Sequence, residues 1–127
     1  APLLDLAWPT QPPDAKLQDV GPFEAAALKK FKVDLPQVPP RYRTTYFDHI
    51  WGGGYSAGYY AYFWAEVLDH DSFEWFKEHG GLTPENGQIF RDKILSRGNS
   101  VELADLYREF RGKDPSVEPL LVNRGLK

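Results

Sequence analysis

Apolar side chains return at helical intervals along this chain and nowhere in the strict alternation of a strand. Phe23, Ala27 and Phe31 recur at i, i+4 and i+8, which predicts a helix over residues 22–32 with Pro22 in its first turn. Residues 33–43 then read as an extended connector, because residues before prolines avoid the α region. After the glycines at 52–54, either Tyr55 or Ser56 opens a predicted helix to about Leu68. Asp69, His70, Asp71 and Ser72 offer a polar corner before a second helix over 73–78, ended by Gly80 and Gly81. Thr83 before Pro84 is an N-cap with a first-turn proline, for a helix that carries Ile89 and runs through 91–95 to a stop at Gly98. Ser100 caps the next, with Leu103, Leu106, Tyr107 and Phe110 on its stripe and Gly112 beyond. A last short helix over 117–124 stops at Gly125. With no alternating run and no hairpin dipeptide, the fold class is all-α.

Proline placement divides the chain. Eight of its 11 prolines fall in the first forty residues, so 1–43 is expected to be irregular apart from one helix, and 44–127 helical. No internal repeat or low-complexity tract appears.

Composition narrows the function classes. Charged residues make up 26% and hydrophobic ones 42% of the chain, a folded rather than disordered balance. A net charge of −3 gives no basic footprint for nucleic acid. No apolar run is long enough to span a membrane, and the first thirteen residues lack the pattern of a secretory signal. The absence of cysteine removes disulfides and thiolate metal sites, and suits the cytoplasm while remaining compatible with the periplasm. Methionine is absent too, position 1 included, so the chain is expected to be part of a longer polypeptide.

Candidate chemistry concentrates in one stretch. Ten of the 23 residues from 42 to 64 are aromatic, with Gly52, Gly53 and Gly54 in their midst. On a helix, about 100° per residue would set Tyr55, Tyr59, Tyr62 and Glu66 within about 60° of one another. Ala57, Gly58, Ala61 and Ala65 would form a small-residue stripe, expected to be buried against another helix. A phenol protonated at neutral pH can donate to developing negative charge, and its ring makes a stiff wall for a peptide side chain. The glycines could let a loop close over a ligand, and His49 beside them could donate to a carbonyl or carboxylate. The same stripe also suits a buried core in which each phenol finds an internal partner. Arg41 and Arg43 near Tyr42, His70 in the polar corner and His79 at a helix end read as surface and capping features. No His-x-x-x-His pair, Gly-x-Ser-x-Gly elbow or cysteine nucleophile is present, so the residues alone make no complete catalytic apparatus.

The run Tyr46-Phe-Asp-His-Ile-Trp-Gly-Gly-Gly-Tyr-Ser-Ala-Gly-Tyr-Tyr-Ala-Tyr-Phe-Trp-Ala-Glu-Val-Leu resembles the C-terminal signature of the thimet oligopeptidase and neurolysin family of zinc peptidases. Its flanks resemble the bacterial peptidyl-dipeptidase branch: Leu4-Asp-Leu-Ala-Trp, Leu35-Pro-Gln-Val-Pro-Pro-Arg-Tyr-Arg, Ile94-Leu-Ser-Arg-Gly-Asn-Ser and Glu118-Pro-Leu-Leu. The similarity covers essentially the whole chain. One residue more separates His49 from Tyr55 than in the mammalian members, a spacing similar to the bacterial ones.

The resemblance implies the C-terminal helical part of a larger, mostly helical peptidase catalytic domain that removes dipeptides from short peptides. It implies zinc in the parent enzyme, held by an upstream His-Glu-x-x-His helix and a later Glu, with no metal ligand in this chain. By the same resemblance, Tyr55 and Tyr62 are catalytic, acting on the scissile carbonyl and the transition state. Tyr59, His49, Gly53 and Gly54 bind substrate. The implied partners are a short peptide and the missing N-terminal part of the same polypeptide. A stand-alone helical domain derived from such a peptidase, binding peptide or purely structural, is the alternative.

Overall fold

Helices in this chain are decided at their ends, where proline, glycine and buried carboxylates sit. The computed structural model describes residues 1–16 and 19–127, so positions 17 and 18 of the proline-rich segment lie outside the described residues. Two compact units form, Ala1–Tyr62 and Phe63–Lys127. Helices make up their regular structure, and among the described residues there is no strand.

The first unit opens with α1 (Pro2–Ala7), whose proline stands where a helix needs no donor. This element departs from the expectation of a single helix in 1–43, since Pro2 and Pro9 bracket a helix instead of interrupting one. Leu4 and Ala7 of α1 meet Ala27 of α2 (Val20–Lys30), with Trp8, Phe23 and Phe31 packed around them. The chain leaves α2 through Lys32 at φ 58, while Val33 N–H donates to the Leu28 carbonyl and Lys32 N–H to that of Lys29. That is a Schellman exit made without glycine.

Beyond the connector, Thr44 begins a 3-10 turn (Thr44–Tyr46) and joins three elements. Its N–H donates to the buried Glu24 carboxylate at 2.5 Å, its hydroxyl accepts from the Trp8 indole at 2.9 Å, and its carbonyl accepts from the Trp51 indole at 2.7 Å. Trp51 ends the short helix α3 (Asp48–Trp51). Between them Phe47 is fully buried, its ring stacked on Tyr42 at 5.1 Å.

The expected helix over 55–68 begins later. Residues 55–60 form turns, and α4 runs over Ala61–Glu78. Ala57 adopts a left-handed φ of 56, and the Asp5 carboxylate takes amides in this stretch, so the helical ladder cannot start until beyond them. The small-residue stripe is accordingly not packed against a helix: Ala57, Ala61 and Ala65 are exposed and Gly58 is half-buried.

The polar corner at 69–72 is also absent, because α4 continues through it. Val67, Asp71 and Trp75 fall at i, i+4 and i+8 on its buried stripe. In the second unit Asp71 accepts from the Tyr107 hydroxyl at 2.7 Å and lies 3.3 Å from Arg111 Nε, while Arg111 forks onto Glu78. Held there, Asp71 has no need to cap a helix end. Burial first, then the hydrogen bond to Asp71, pushes the Tyr107 phenol well above its ordinary range. Thr83 caps α5 (Pro84–Phe90) by accepting from Asn86 N–H, and a π-helical turn (Arg91–Leu95) follows. Helix α6 (Leu103–Arg111) starts from Glu102 rather than Ser100 and ends at Gly112 with φ 81. Helix α7 (Glu118–Asn123) closes the unit. Trp75, Phe76 and Phe110 form its core with Phe90 and Ile94.

Burial pushes the Glu24 carboxyl up, but bonds from Thr44 and Arg43 outweigh it and hold the group below the ordinary glutamate range. A depressed carboxyl stabilises the fold above its unfolded value, and that stabilisation is lost as pH falls through the folded value. Glu24→Gln is expected to lower stability by about 1–3 kcal/mol at neutral pH. Urea unfolding across a pH series should show the gap between wild type and variant closing on the acid side.

Candidate functional site

The site is built within the first unit by a loop that doubles back on its own start. Helix α3 presents His49, and Gly52 and Gly53 N–H groups both donate to the Asp48 carbonyl, at 2.8 and 2.9 Å. Gly54 takes φ 78, a left-handed value that glycine adopts freely. Tyr55 N–H then donates to the His49 carbonyl at 2.9 Å. Only glycine fits this fold-back: a Cβ on Gly53 would stand 2.9 Å from His49 Cα and 3.1 Å from its carbonyl oxygen. The glycines thus form a hydrogen-bonded turn that fixes Tyr55 beside His49.

From there the chain turns again. Gly58 N–H donates to the Tyr55 carbonyl and Ala61 N–H to that of Gly58, which brings Tyr59 and then Tyr62 back toward the same place. Asp5 of α1 accepts from Ala57 N–H at 2.8 Å and from Tyr59 N–H at 3.0 Å. A left-handed alanine costs roughly 1–2 kcal/mol, which bonds to a carboxylate can offset.

The result is an aromatic cluster. The His49 ring centroid lies 6.0 Å from Tyr55, 5.3 Å from Tyr59 and 6.3 Å from Tyr62. Tyr55 and Tyr62 stack at 5.3 Å, and Tyr59 lies 5.1 Å from Tyr62. Tyr59 packs edge-on to the buried Phe47 at 4.9 Å, so it forms the floor, half-buried like His49. Tyr55 and Tyr62 are 37% and 50% exposed, so both side chains are accessible from solvent. A hydrogen bond with Tyr55, then partial burial, then the neighbouring phenols keep the Tyr62 phenol above its usual range. It is a neutral donor at physiological pH.

Sequence spacing thus grouped Tyr55, Tyr59 and Tyr62 correctly for the wrong reason: turns bring them together, not one helical face. Glu66, set on the same face by that reading, lies in the second unit, where its carboxylate takes a fork from Arg124. Tyr42 was not read as a site residue, yet its ring lies 5.1 Å from His49 and 6.1 Å from Tyr59. The density of aromatics from residue 42 onward was the signal for it. Tyr60 makes no ring contact with the cluster among the described residues. His79 stacks on Trp75 at 4.2 Å with Nδ1 at the Trp75 carbonyl, and His70 lies 4.0 Å from Glu66. No group of three or more His, Cys, Asp or Glu side chains converges among the described residues.

Comparison with known proteins places this chain in a family. The model of Peptidase family M3 matches residues 4–126. Dipeptidyl carboxypeptidase of Escherichia coli K12 is 55% identical over 99% of this chain and 18% of its own length. Oligopeptidase A of the same organism is 51% identical over 64% of the chain and 12% of its own length. Saccharolysin of Saccharomyces cerevisiae is 40% identical over 64% of the chain and 11% of its own. The chain therefore spans less than a fifth of the relatives it matches. No helix among the described residues is long and apolar enough to cross a membrane.

Two outcomes test the geometry. Tyr55→Phe should bring the Tyr62 titration back toward the ordinary tyrosine range, read by ultraviolet or NMR pH titration. Gly53→Ala should cost about 1–3 kcal/mol by forcing the His49 backbone aside. Gly52→Ala should cost less, because the nearest obstacle there is the movable Asp48 carboxylate at 3.2 Å.

Proposed function

The chain belongs to peptidase family M3, a metallopeptidase family, and on that premise we propose that it is the peptide-gripping C-terminal portion of a zinc peptidyl-dipeptidase acting on short peptides. In this reading the zinc ligands lie elsewhere in the polypeptide. The observation that carries it is the convergence of the His49, Tyr55, Tyr59 and Tyr62 rings, with Tyr55 and Tyr62 exposed.

The division of labour follows from placement. Tyr55 and Tyr62 stack side by side, and in this reading their hydroxyls donate to the oxygen of a bound peptide carbonyl. Because the hydroxyls are already gathered, donation strengthens as charge develops on that oxygen, without reorganisation. His49, flanked by Tyr42 and Tyr59, donates to a neighbouring carbonyl or to the peptide's carboxylate. Tyr59 shapes the floor under a side chain, and Gly53 and Gly54 let the peptide backbone approach the loop closely.

The reading also has a consequence for the isolated chain: its 127 residues should bind peptide without cleaving it, since no His-Glu-x-x-His occurs in the sequence. Stoichiometric zinc retained on dialysis, or peptide hydrolysis by this chain alone, would contradict that. In the parent enzyme, Tyr62→Phe should lower kcat and kcat/KM together by roughly 10²–10³-fold while the melting temperature barely moves. Tyr60→Phe is the control, at a phenol outside the cluster. Near-normal turnover in the Tyr62 variant, or equal damage from both, would remove Tyr62 from the reaction.

A further inference from the structure

We infer that Asp5 is a positioning residue for the peptide-binding face: its carboxylate pins the turn that carries Tyr55 and Tyr59, from more than fifty residues away. This rests on the proposed role of the tyrosine cluster. Asp5 is fully buried in the middle of α1, a helix anchored by Leu4 and Ala7 in the core with α2. Each of its oxygens takes one amide of the turn, Oδ1 that of Ala57 and Oδ2 that of Tyr59. The turn is fixed at its start by Tyr55 N–H on the His49 carbonyl, and its middle passes through Ala57 at φ 56, a conformation an alanine leaves readily if unsupported. A carboxylate is needed because two donors must be met at one point. An asparagine has one accepting oxygen and would present its own N–H₂ to a second donor. Asp5 never meets the peptide; it acts through the backbone that sets the Tyr55 and Tyr59 rings.

The test compares Asp5→Asn, and Asp5→Asn with Ala57→Gly, against the unaltered chain. Readouts are ring-to-ring NOEs within the cluster and the affinity for an oligoalanine peptide with a free carboxyl end. Asp5→Asn should abolish the Tyr55–Tyr62 NOEs, leave the second unit's spectrum unchanged, and weaken peptide binding about tenfold or more. Glycine at 57 takes the left-handed turn at no steric cost, so the double variant should recover part of both signals. A purely space-filling Asp5 would lower the melting temperature with the NOEs intact and with no rescue by glycine; that result overturns the inference. If Asp5→Asn does not fold, amide exchange in the unaltered chain decides. The Ala57 and Tyr59 amides should exchange about tenfold or more slowly than those of Ser56 and Tyr60, and equal rates overturn the inference. Loss of NOEs in the variant of a chain that binds no peptide would leave the positioning role standing and remove the proposed function.

Discussion

Among the described residues, three fully buried side chains are carboxylates, Glu24, Asp5 and Asp71, and a buried carboxylate is tolerable only where donors replace the water it has lost. Each of these sits on a helix and reaches a partner that regular structure leaves unmet. Glu24 reaches from α2 to the Thr44 amide where the connector ends, and Asp5 reaches from α1 to two amides of a turn. Asp71 takes the Tyr107 hydroxyl, joining α4 to α6. A first unit so rich in proline and glycine cannot pair all its amides in ladders. Side-chain acceptors held on helices do that work at Thr44 and at the turn through Ala57 and Tyr59.

The tyrosine face follows from this constraint. Tyr55 and Tyr59 are carried by turns between α3 and α4, whose shape comes from whatever holds their amides. The His49 carbonyl holds one end through Tyr55, and Asp5 holds the middle. Phe47 and Tyr42 then supply the apolar backing that lets Tyr59 and His49 stand half-buried, while Tyr55 and Tyr62 stay accessible. The geometry alone gathers these residues, since the family match extends over residues 4–126 as a whole.

Much of the helical layout was legible because helix ends carry local chemistry. Thr83 with Pro84, Gly112 and Gly125 mark boundaries within a residue or two of where they fall. What escaped was long-range. Asp5 looks like any acidic residue in a short helix until its partners at 57 and 59 are seen, and without it the stretch after Gly54 reads as helix. Asp69 to Ser72 carry the letters of a cap, yet Tyr107 and Arg111, more than thirty residues on, make Asp71 an interior position. The role of Tyr42 was hidden similarly, since its neighbours His49 and Tyr59 reach it only through the fold.

The fold-back at Gly53 sets how this face meets a ligand. A loop able to swing would lose conformational freedom on closing, and affinity would fall accordingly. Here Gly52, Gly53 and Tyr55 are already bonded to Asp48 and His49. The histidine and the first tyrosine thus form one rigid piece, and their ordering entropy is spent during folding rather than at encounter. Under the proposed peptide-binding role, a peptide would find its donors preassembled, and selectivity among peptides would rest on the fit of their side chains against Tyr59 and Tyr62 more than on any adjustment of the loop.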